Sequence, residues 1–275
     1  MDIFSKVTLN NGVKMPWLGL GVFRLREGRE IENAILTAIE TGYRSIDTAS
    51  FYMNERGVGK AVKNCRIPRD EIFITTKVWN SEQGYHSTKA AFERSLNKLQ
   101  VDYIDLYLIH WPVEKTSVET WKAMEELYKN GKVRAIGVSN FLIHHLEDFL
   151  PNCSIKPVVN QVEFHPQLTQ PELLKFCRQN EIQPEAWSPI MKGRVNNIPL
   201  LKTLGNKYGK TPVQIVLRWD IQKGIITIPK SSNPERIQSN ANIFDFEISG
   251  EDMIKIDQID RNNRTGFYSD HLHHK

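Results

Sequence analysis

Four residues of the chain have types that could together move a proton onto a substrate oxygen. Asp47 and Tyr52 stand in "GYRSIDTASFYMNERGVGKAV", Lys77 ends "FITTK", and His110 ends "DLYLIH". A free phenol has a pKa of about 10, too high for ready proton exchange at neutral pH. A buried ammonium beside it favours the phenolate and lowers that value. Asp47 can pair with Lys77 and keep the buried charge compensated. His110 can hydrogen-bond a substrate oxygen and orient it. Together they make a proton donor with an oxyanion-stabilising surround. That equipment suits addition of hydride to a carbonyl, where the oxygen becomes an alkoxide and needs a proton. Each residue also has a bland explanation when taken alone. Tyr52 could be a packing residue with a wet hydroxyl, and Lys77 a solvated strand-end charge. His110, beside Trp111, could be a satisfied core histidine, and Asp47 a turn or cap before Thr48. What separates the explanations is whether one architecture delivers all four to one place.

The architecture can be read from periodicity. "VTLNNGVKMPWLGLG" reads as a hairpin, with "NNG" supplying residues that tolerate positive φ. Short apolar runs follow: "WLGLG", "SIDTA", "FITTK", "DLYLIHW", "AIGVS", "VVNQVE", "PEAWSP" and "IITIPK". Between them lie segments with apolar positions three and four apart, among them "REIENAILTAIETG", "STKAAFERSLNKL", "SVETWKAMEELYKN", "PELLKFCRQN" and "PVQIVLRWDIQK". Ser87 is a plausible N-cap, and so is Thr211 with Pro212 at the first helical position. Eight strands, each followed by a helix, predict an α/β fold, one (β/α)₈ TIM barrel over residues 1–275 with an N-terminal β-hairpin. In such a barrel the strand-to-helix seams carry the active site, and Asp47, Tyr52, Lys77 and His110 all fall at the seams of three adjacent strands. An open dinucleotide-binding sheet is disfavoured: "GLGVFR" has Gly19 and Gly21 but Arg24 where the third glycine belongs. "RGVGKAV" is no phosphate loop of the Walker type, because Lys60 is followed by Ala61.

Composition narrows the function class. The 275 residues are 40% hydrophobic and 25% charged, with a formal net charge of +4, an ordinary balance for a soluble globular protein. The charges are dispersed, which gives no reason to expect nucleic acid as a partner. Cys65, Cys153 and Cys177 have no metal or redox spacing and suit a reducing compartment. No apolar run reaches the roughly 18 residues of a membrane span, and the N-terminus does not read as a signal peptide. The expectation is a cytoplasmic protein with no membrane partner.

The motifs also carry a family resemblance that covers nearly the whole chain, to about Arg264. "GYRSIDTASFYMNERGVG", "TTKVW", "LIHWP", "GVSNF", "NQVEFHP", "EAWSP" and "IPKSSNPERIQSN" resemble, in order, the motifs of the aldo-keto reductases. The nearest resemblance is to bacterial reductases of glyoxal, methylglyoxal and 2,5-diketo-D-gluconate. It implies a catalytic tetrad of Asp47, Tyr52, Lys77 and His110 with Tyr52 as general acid, and NADPH extended across the barrel mouth. It implies that Ser139, Asn140 and Gln161 hold the carboxamide of the nicotinamide, that Trp187 stacks on the ring, and that Ser188 and the loop to Gly193 follow the pyrophosphate. Gly21 and Val22 are carried over among the cofactor positions. Lys230, Ser231, Ser232 and Arg236 would hold the 2′-phosphate and Asn240 the adenine. Barrels often bind phosphate after their last strands, and a helix N-terminus favours anions. An ordinary capped helix with surface cations would look the same.

Phe23, Phe51, Trp79 and Trp111 match or neighbour the pocket positions of the family. Aromatic walls around one polar focus suit a small carbonyl compound. The segment after the fourth strand and the tail after Arg264 are short, which implies an open, shallow site acting on small aldehydes and 2-oxoaldehydes. The histidines of the terminal "HLHHK" read as a solvated tail, with no metal site. The resemblance leans towards a monomer. Two rivals stand beside this reading: a non-catalytic nicotinamide sensor on the same fold, and a barrel isomerase or aldolase using Lys77 as a Schiff base.

Overall fold

The computed structural model describes residues 1–266, so the expectation for the terminal histidines lies outside the described residues. The chain opens with a hairpin, β1 (Lys6–Thr8) against β2 (Lys14–Pro16), with Val7 opposite Met15. Within "NNG" only Gly12 uses positive φ, at 85°. The two asparagines instead tie the hairpin to the barrel: Asn10 Nδ2 donates to the Pro157 carbonyl at 3.0 Å and Asn11 Nδ2 to the Arg134 carbonyl at 3.0 Å. Leu9 and Met15 pack with Phe73, Leu106, Leu108, Ala135, Val159 and Ile226. This apolar plug closes the N-terminal end of the strands.

Eight parallel strands follow: β3 (Leu20–Gly21), β4 (Ser45–Asp47), β5 (Phe73–Val78), β6 (Ile104–Ile109), β7 (Val133–Ser139), β8 (Val159–Glu163), β9 (Gln183–Trp187) and β10 (Ile226–Thr227). They lie side by side in chain order, and each matches one of the eight predicted runs. A parallel bridge between Leu18 and Thr227 joins the first to the last. The Gly19 amide donates to Thr227 O at 3.0 Å, the Thr227 amide to Trp17 O at 3.0 Å, and the Gly21 amide to Pro229 O at 3.2 Å. Glycine is required at 21 by this closure: a Cβ there would lie 2.9 Å from the Ile228 carbonyl oxygen.

Helices cover the outside: α1 (Arg29–Thr41), α2 (Glu55–Asn64), α3 (Tyr85–Leu99), α4 (Ser117–Lys129), α5 (Ile143–Phe149), α6 (Pro171–Gln179), α7 (Pro199–Tyr208), α8 (Pro212–Gln222), α9 (Pro234–Ala241) and α10 (Gly250–Asp257). Their apolar stripes face the sheet, and the five predicted helical segments match α1, α3, α4, α6 and α8, four of them running one residue past the helix end. The N-cap at Thr211 forms as expected. Its Oγ1 accepts from the Gln214 amide at 3.2 Å, and Gln214 Oε1 accepts from the Thr211 amide at 2.8 Å. The N-cap at Ser87 does not form. α3 starts three residues earlier, with Gly84 as its cap, and Ser87 Oγ donates back to the Gln83 carbonyl at 2.7 Å. Gly84 takes a φ of 113° there, which a residue with a side chain rarely adopts.

Candidate active site

The top of the barrel carries the chemistry. Asp47 is the last residue of β4, Lys77 lies near the end of β5, and His110 follows β6. A short 3₁₀ turn, Ser50–Tyr52, brings Tyr52 over the same rim. Lys77 is fully buried. Its Nζ donates to Asp47 Oδ1 at 2.6 Å and to the Thr48 carbonyl at 2.9 Å. The same ammonium sits 5.1 Å from the centre of the Tyr52 ring. The His110 ring meets Tyr52 edge-on, with centroids 5.6 Å apart. The four residues predicted from three neighbouring strands therefore do converge.

The electrostatics differ from the sequence expectation in one respect. Burial pushes the Tyr52 phenol above its ordinary value; Lys77 pulls it down and Asp47 pushes it up. Burial wins, so Tyr52 keeps its proton at neutral pH. Burial alone would pull Lys77 down, but the charge of Asp47, helped by Tyr52, holds it above its usual value and protonated. Burial and the Lys77 charge hold His110 well below the usual imidazole range, so its ring is neutral. The site thus presents a protonated phenol, a fixed positive charge and a neutral imidazole.

Several positions the sequence did not single out hold this arrangement. Asn54 is fully buried. It donates to the carbonyls of Val22 at 3.0 Å and Leu25 at 3.1 Å, and accepts from Thr48 Oγ1 at 2.8 Å. It thereby joins the loop after β3 to the loop carrying Tyr52. Ser50 Oγ donates to Glu82 at 2.7 Å, and Arg94 donates to the other oxygen of Glu82 at 2.8 Å. The third is Glu185, buried on β9, whose Oε2 accepts from Gln161 Nε2 at 2.9 Å. An acid inside a strand buried on both faces was the signal available in "PEAWSP".

The aromatic walls are present. Phe51 stacks on Trp79 with centroids 3.8 Å apart, and Phe23 leans on Tyr52 at 4.9 Å. Trp79 meets His110 edge-on at 5.0 Å. Phe23 and Phe51 are 44% and 47% exposed, so the mouth is open and apolar, whereas Trp111 is only 7% exposed and offers it little surface.

The remaining predicted positions fall in two groups along the rim. Ser139 Oγ donates to the Gln161 carbonyl at 2.9 Å and accepts from Asn140 Nδ2 at 3.0 Å. Asn140 has a φ of 65°, a conformation asparagine tolerates, and its Oδ1 accepts from Trp187 Nε1 at 2.8 Å. Gln161 Nε2 donates to Asp47 Oδ2 at 2.8 Å as well as to Glu185. Ser188 begins a tight turn with a φ of 55°. Trp187 is half-buried, and Gly266 lies so close to its six-membered ring that a Cβ there would sit 2.3 Å from Cη2. That segment is moored by Glu163, whose Oε1 accepts from the amides of Thr265 at 2.7 Å and Gly266 at 3.1 Å.

The second group surrounds the start of α9. Lys230, Ser232 and Arg236 are exposed, while Ser231 and Asn240 are buried. Asn233 caps the helix by accepting from the Arg236 amide at 2.9 Å, and Ser231 Oγ accepts from the Asn233 amide at 3.1 Å. Gly21 and Val22, the other cofactor positions, lie at the end of β3 beside the closure of the barrel. Both are buried, and their amides are spent on the carbonyls of Pro229 at 3.2 Å and Asp47 at 3.0 Å.

Comparison with known proteins places this geometry. Residues 18–261 match the model of the aldo/keto reductase family. Glyoxal reductase of Bacillus subtilis is 55% identical over 266 residues, covering 97% of this chain and 96% of that protein. Methylglyoxal reductase DkgA of Escherichia coli K12 is 46% identical over 264 residues, covering 94% and 95%. A Gox0644 variant crystallised with NADPH superposes with a TM-score of 0.90 at 43% identity, covering 97% of each chain. A barrel of this strand order, with this convergence at its rim and this likeness along its length, belongs to the aldo/keto reductase family.

Proposed function

We propose that the chain reduces small aldehydes and 2-oxoaldehydes, glyoxal and methylglyoxal among them, to alcohols at the expense of NADPH. The observation that carries the reading is the cluster at the ends of β4, β5 and β6: a protonated phenol beside a buried ammonium paired at 2.6 Å with Asp47. Tyr52 gives its proton to the carbonyl oxygen. Lys77, held charged by Asp47, stabilises the phenolate left behind. His110, being neutral, hydrogen-bonds the carbonyl oxygen without adding a second charge. Phe23, Phe51 and Trp79 line an open mouth that suits a small, partly apolar carbonyl compound.

The residues fit NADPH. Ser139, Asn140 and Gln161 form one hydrogen-bonded shelf, suited to a carboxamide. Trp187 offers a flat ring fixed by Asn140, and Ser188 opens the turn that would follow the pyrophosphate. Lys230 and Arg236 form no ion pair among the described residues and flank the capped start of α9, where Ser231, Ser232 and Asn240 complete a setting for the 2′-phosphate and adenine. When bound, NADPH supplies the hydride that reduces the carbonyl carbon. The names of the relatives support the substrate class, and the Gox0644 complex supports the cofactor.

The test is oxidation of NADPH, and separately of NADH, with glyoxal, methylglyoxal and an aromatic aldehyde. Tyr52→Phe is expected to bind NADPH and to lose about a hundredfold or more of turnover, the usual scale of a general acid. Near-native turnover in that variant would remove Tyr52 as the acid. Tight NADPH binding with no carbonyl reduced would favour a sensor.

A further inference from the structure

The chemistry proposed above gives Glu185 no part, yet it lies inside the barrel against the charged cluster. On β9 it is in register with Gln161 of β8 and Ile226 of β10. The titratable groups that face it are Asp47 on β4, Lys77 on β5 and Tyr52 in the turn after β4. β3 and β10, carrying Leu20–Gly21 and Ile226–Thr227, bring none.

The geometry around Gln161 is specific. A primary amide nitrogen has two hydrogens. Gln161 Nε2 gives one to Asp47 Oδ2 at 2.8 Å and the other to Glu185 Oε2 at 2.9 Å. Turning the amide over would set its carbonyl oxygen against the Asp47 carboxylate. The amide is therefore held with Oε1 as its free hydrogen-bonding atom, an acceptor. Charge adds a second constraint. Two ionised carboxylates with one ammonium would leave a net negative charge in a buried interior, which is costly. Burial and the Asp47 charge push the Glu185 carboxyl up to about 8, and its Oε1 is buried with no partner among the described residues.

We propose that Glu185 is a positioning residue that acts through Gln161, fixing the amide so that its carbonyl oxygen meets the carboxamide NH₂ of the nicotinamide, and carrying the proton that leaves Asp47 alone to balance Lys77. The inference rests on the cofactor reading above. A further consequence concerns direction. Alcohol oxidation needs the Tyr52 phenolate. An ionised Glu185 adds negative charge facing Lys77 and Tyr52, which makes the phenol harder to deprotonate. Ionisation of Glu185 therefore opposes the gain in phenolate as pH rises.

The experiment compares the full chain with Glu185→Gln and Glu185→Leu. In protein labelled with ¹³C at glutamate carboxyls, one resonance is expected to titrate near the raised value of about 8 and to be missing from Glu185→Gln. A spectrum in which every glutamate titrates within roughly two units of its ordinary value overturns the proton assignment. For oxidation of a primary alcohol with NADP, the ratio of the rate at about pH 9 to that at about pH 7 is expected to rise about two- to fivefold in Glu185→Gln. An unchanged ratio overturns the coupling to Tyr52. In fluorescence titration with NADPH, Glu185→Leu, which cannot accept from Gln161, is expected to bind at least about fivefold more weakly than Glu185→Gln, whose own carbonyl still accepts. Equal affinity of the two variants overturns the orienting role. If no carbonyl turns over, the functional reading fails on its own, and the resonance and binding measurements still decide the proposal.

Discussion

Burying an ammonium and a carboxylate together carries a desolvation penalty of several kcal/mol per ion. Lys77 and Asp47 offset it with a 2.6 Å contact and the extra bond from Lys77 to the Thr48 carbonyl. The types of these residues and their strand-end positions were legible in the sequence. The sign of the Tyr52 shift was not. Charge alone predicts a lowered phenol, and the burial that reverses it belongs to packing. Glu185 escaped for a related reason: a single acid in "PEAWSP" carries no spacing that marks it, and its meaning comes from Gln161 on the preceding strand. Lys230 and Arg236 allow a test at this scale. Arg236→Ala is expected to raise the KM for NADPH about tenfold, one charge-assisted hydrogen bond's worth, while the KM for NADH changes little. Equal losses with both cofactors would remove the 2′-phosphate from this residue.

Among the elements, the loops after β3 and β4 depend on one side chain. Asn54 stands at the N-cap position of α2, but its side chain does not cap the helix. It is spent on Val22, Leu25 and Thr48. A sequence reading treats an asparagine before a helix as a cap, so this use was hidden. Asn54→Ala strands the Leu25 carbonyl and the Thr48 hydroxyl and leaves the Val22 carbonyl only the Leu25 amide, and a loss of about 2–4 kcal/mol in unfolding free energy is expected. Because the same loops carry Phe23 and Tyr52, turnover is expected to fall further than the lost stability explains at a temperature where the variant remains folded. A variant as stable as the parent in urea would show that the loops are held by other means. The packing of α2 on α3 is equally local. A Cβ at Gly59 would come within 2.0 Å of the Leu99 carbonyl oxygen, a closeness that "RGVGKAV" gives no hint of.

For the whole molecule, eight apolar runs alternating with helical segments were enough to give the barrel and the end that bears the chemistry. Strand lengths, the polar mooring of the hairpin, the extra helices α7 and α10, and the seat of Gly266 on Trp187 depend on contacts between distant segments, which local patterns do not encode. The charged interior also marks global stability. The Glu185 carboxyl, raised in the fold from 4.5 to about 8, keeps a proton that the unfolded chain has already lost. It therefore lowers stability progressively as pH rises from about 4.5 to about 8, with no further change above. Relative to Glu185→Gln, the parent is expected to lose stability steadily as pH rises across that window, measured by denaturant unfolding. A constant difference between the two would contradict the shift. The closure of the barrel has a consequence in time as well as in space. β3 and β10 are two residues each, and the amides of Gly19, Gly21 and Thr227 stitch the first edge to the last, whereas β5 and β6 run six residues side by side. The closing seam of the cylinder is short, and short seams part first. In deuterated solvent those three amides should exchange before the amides of β5 and β6. Each parting would loosen the turn at Lys230 while leaving the strand pair that carries Lys77 shut.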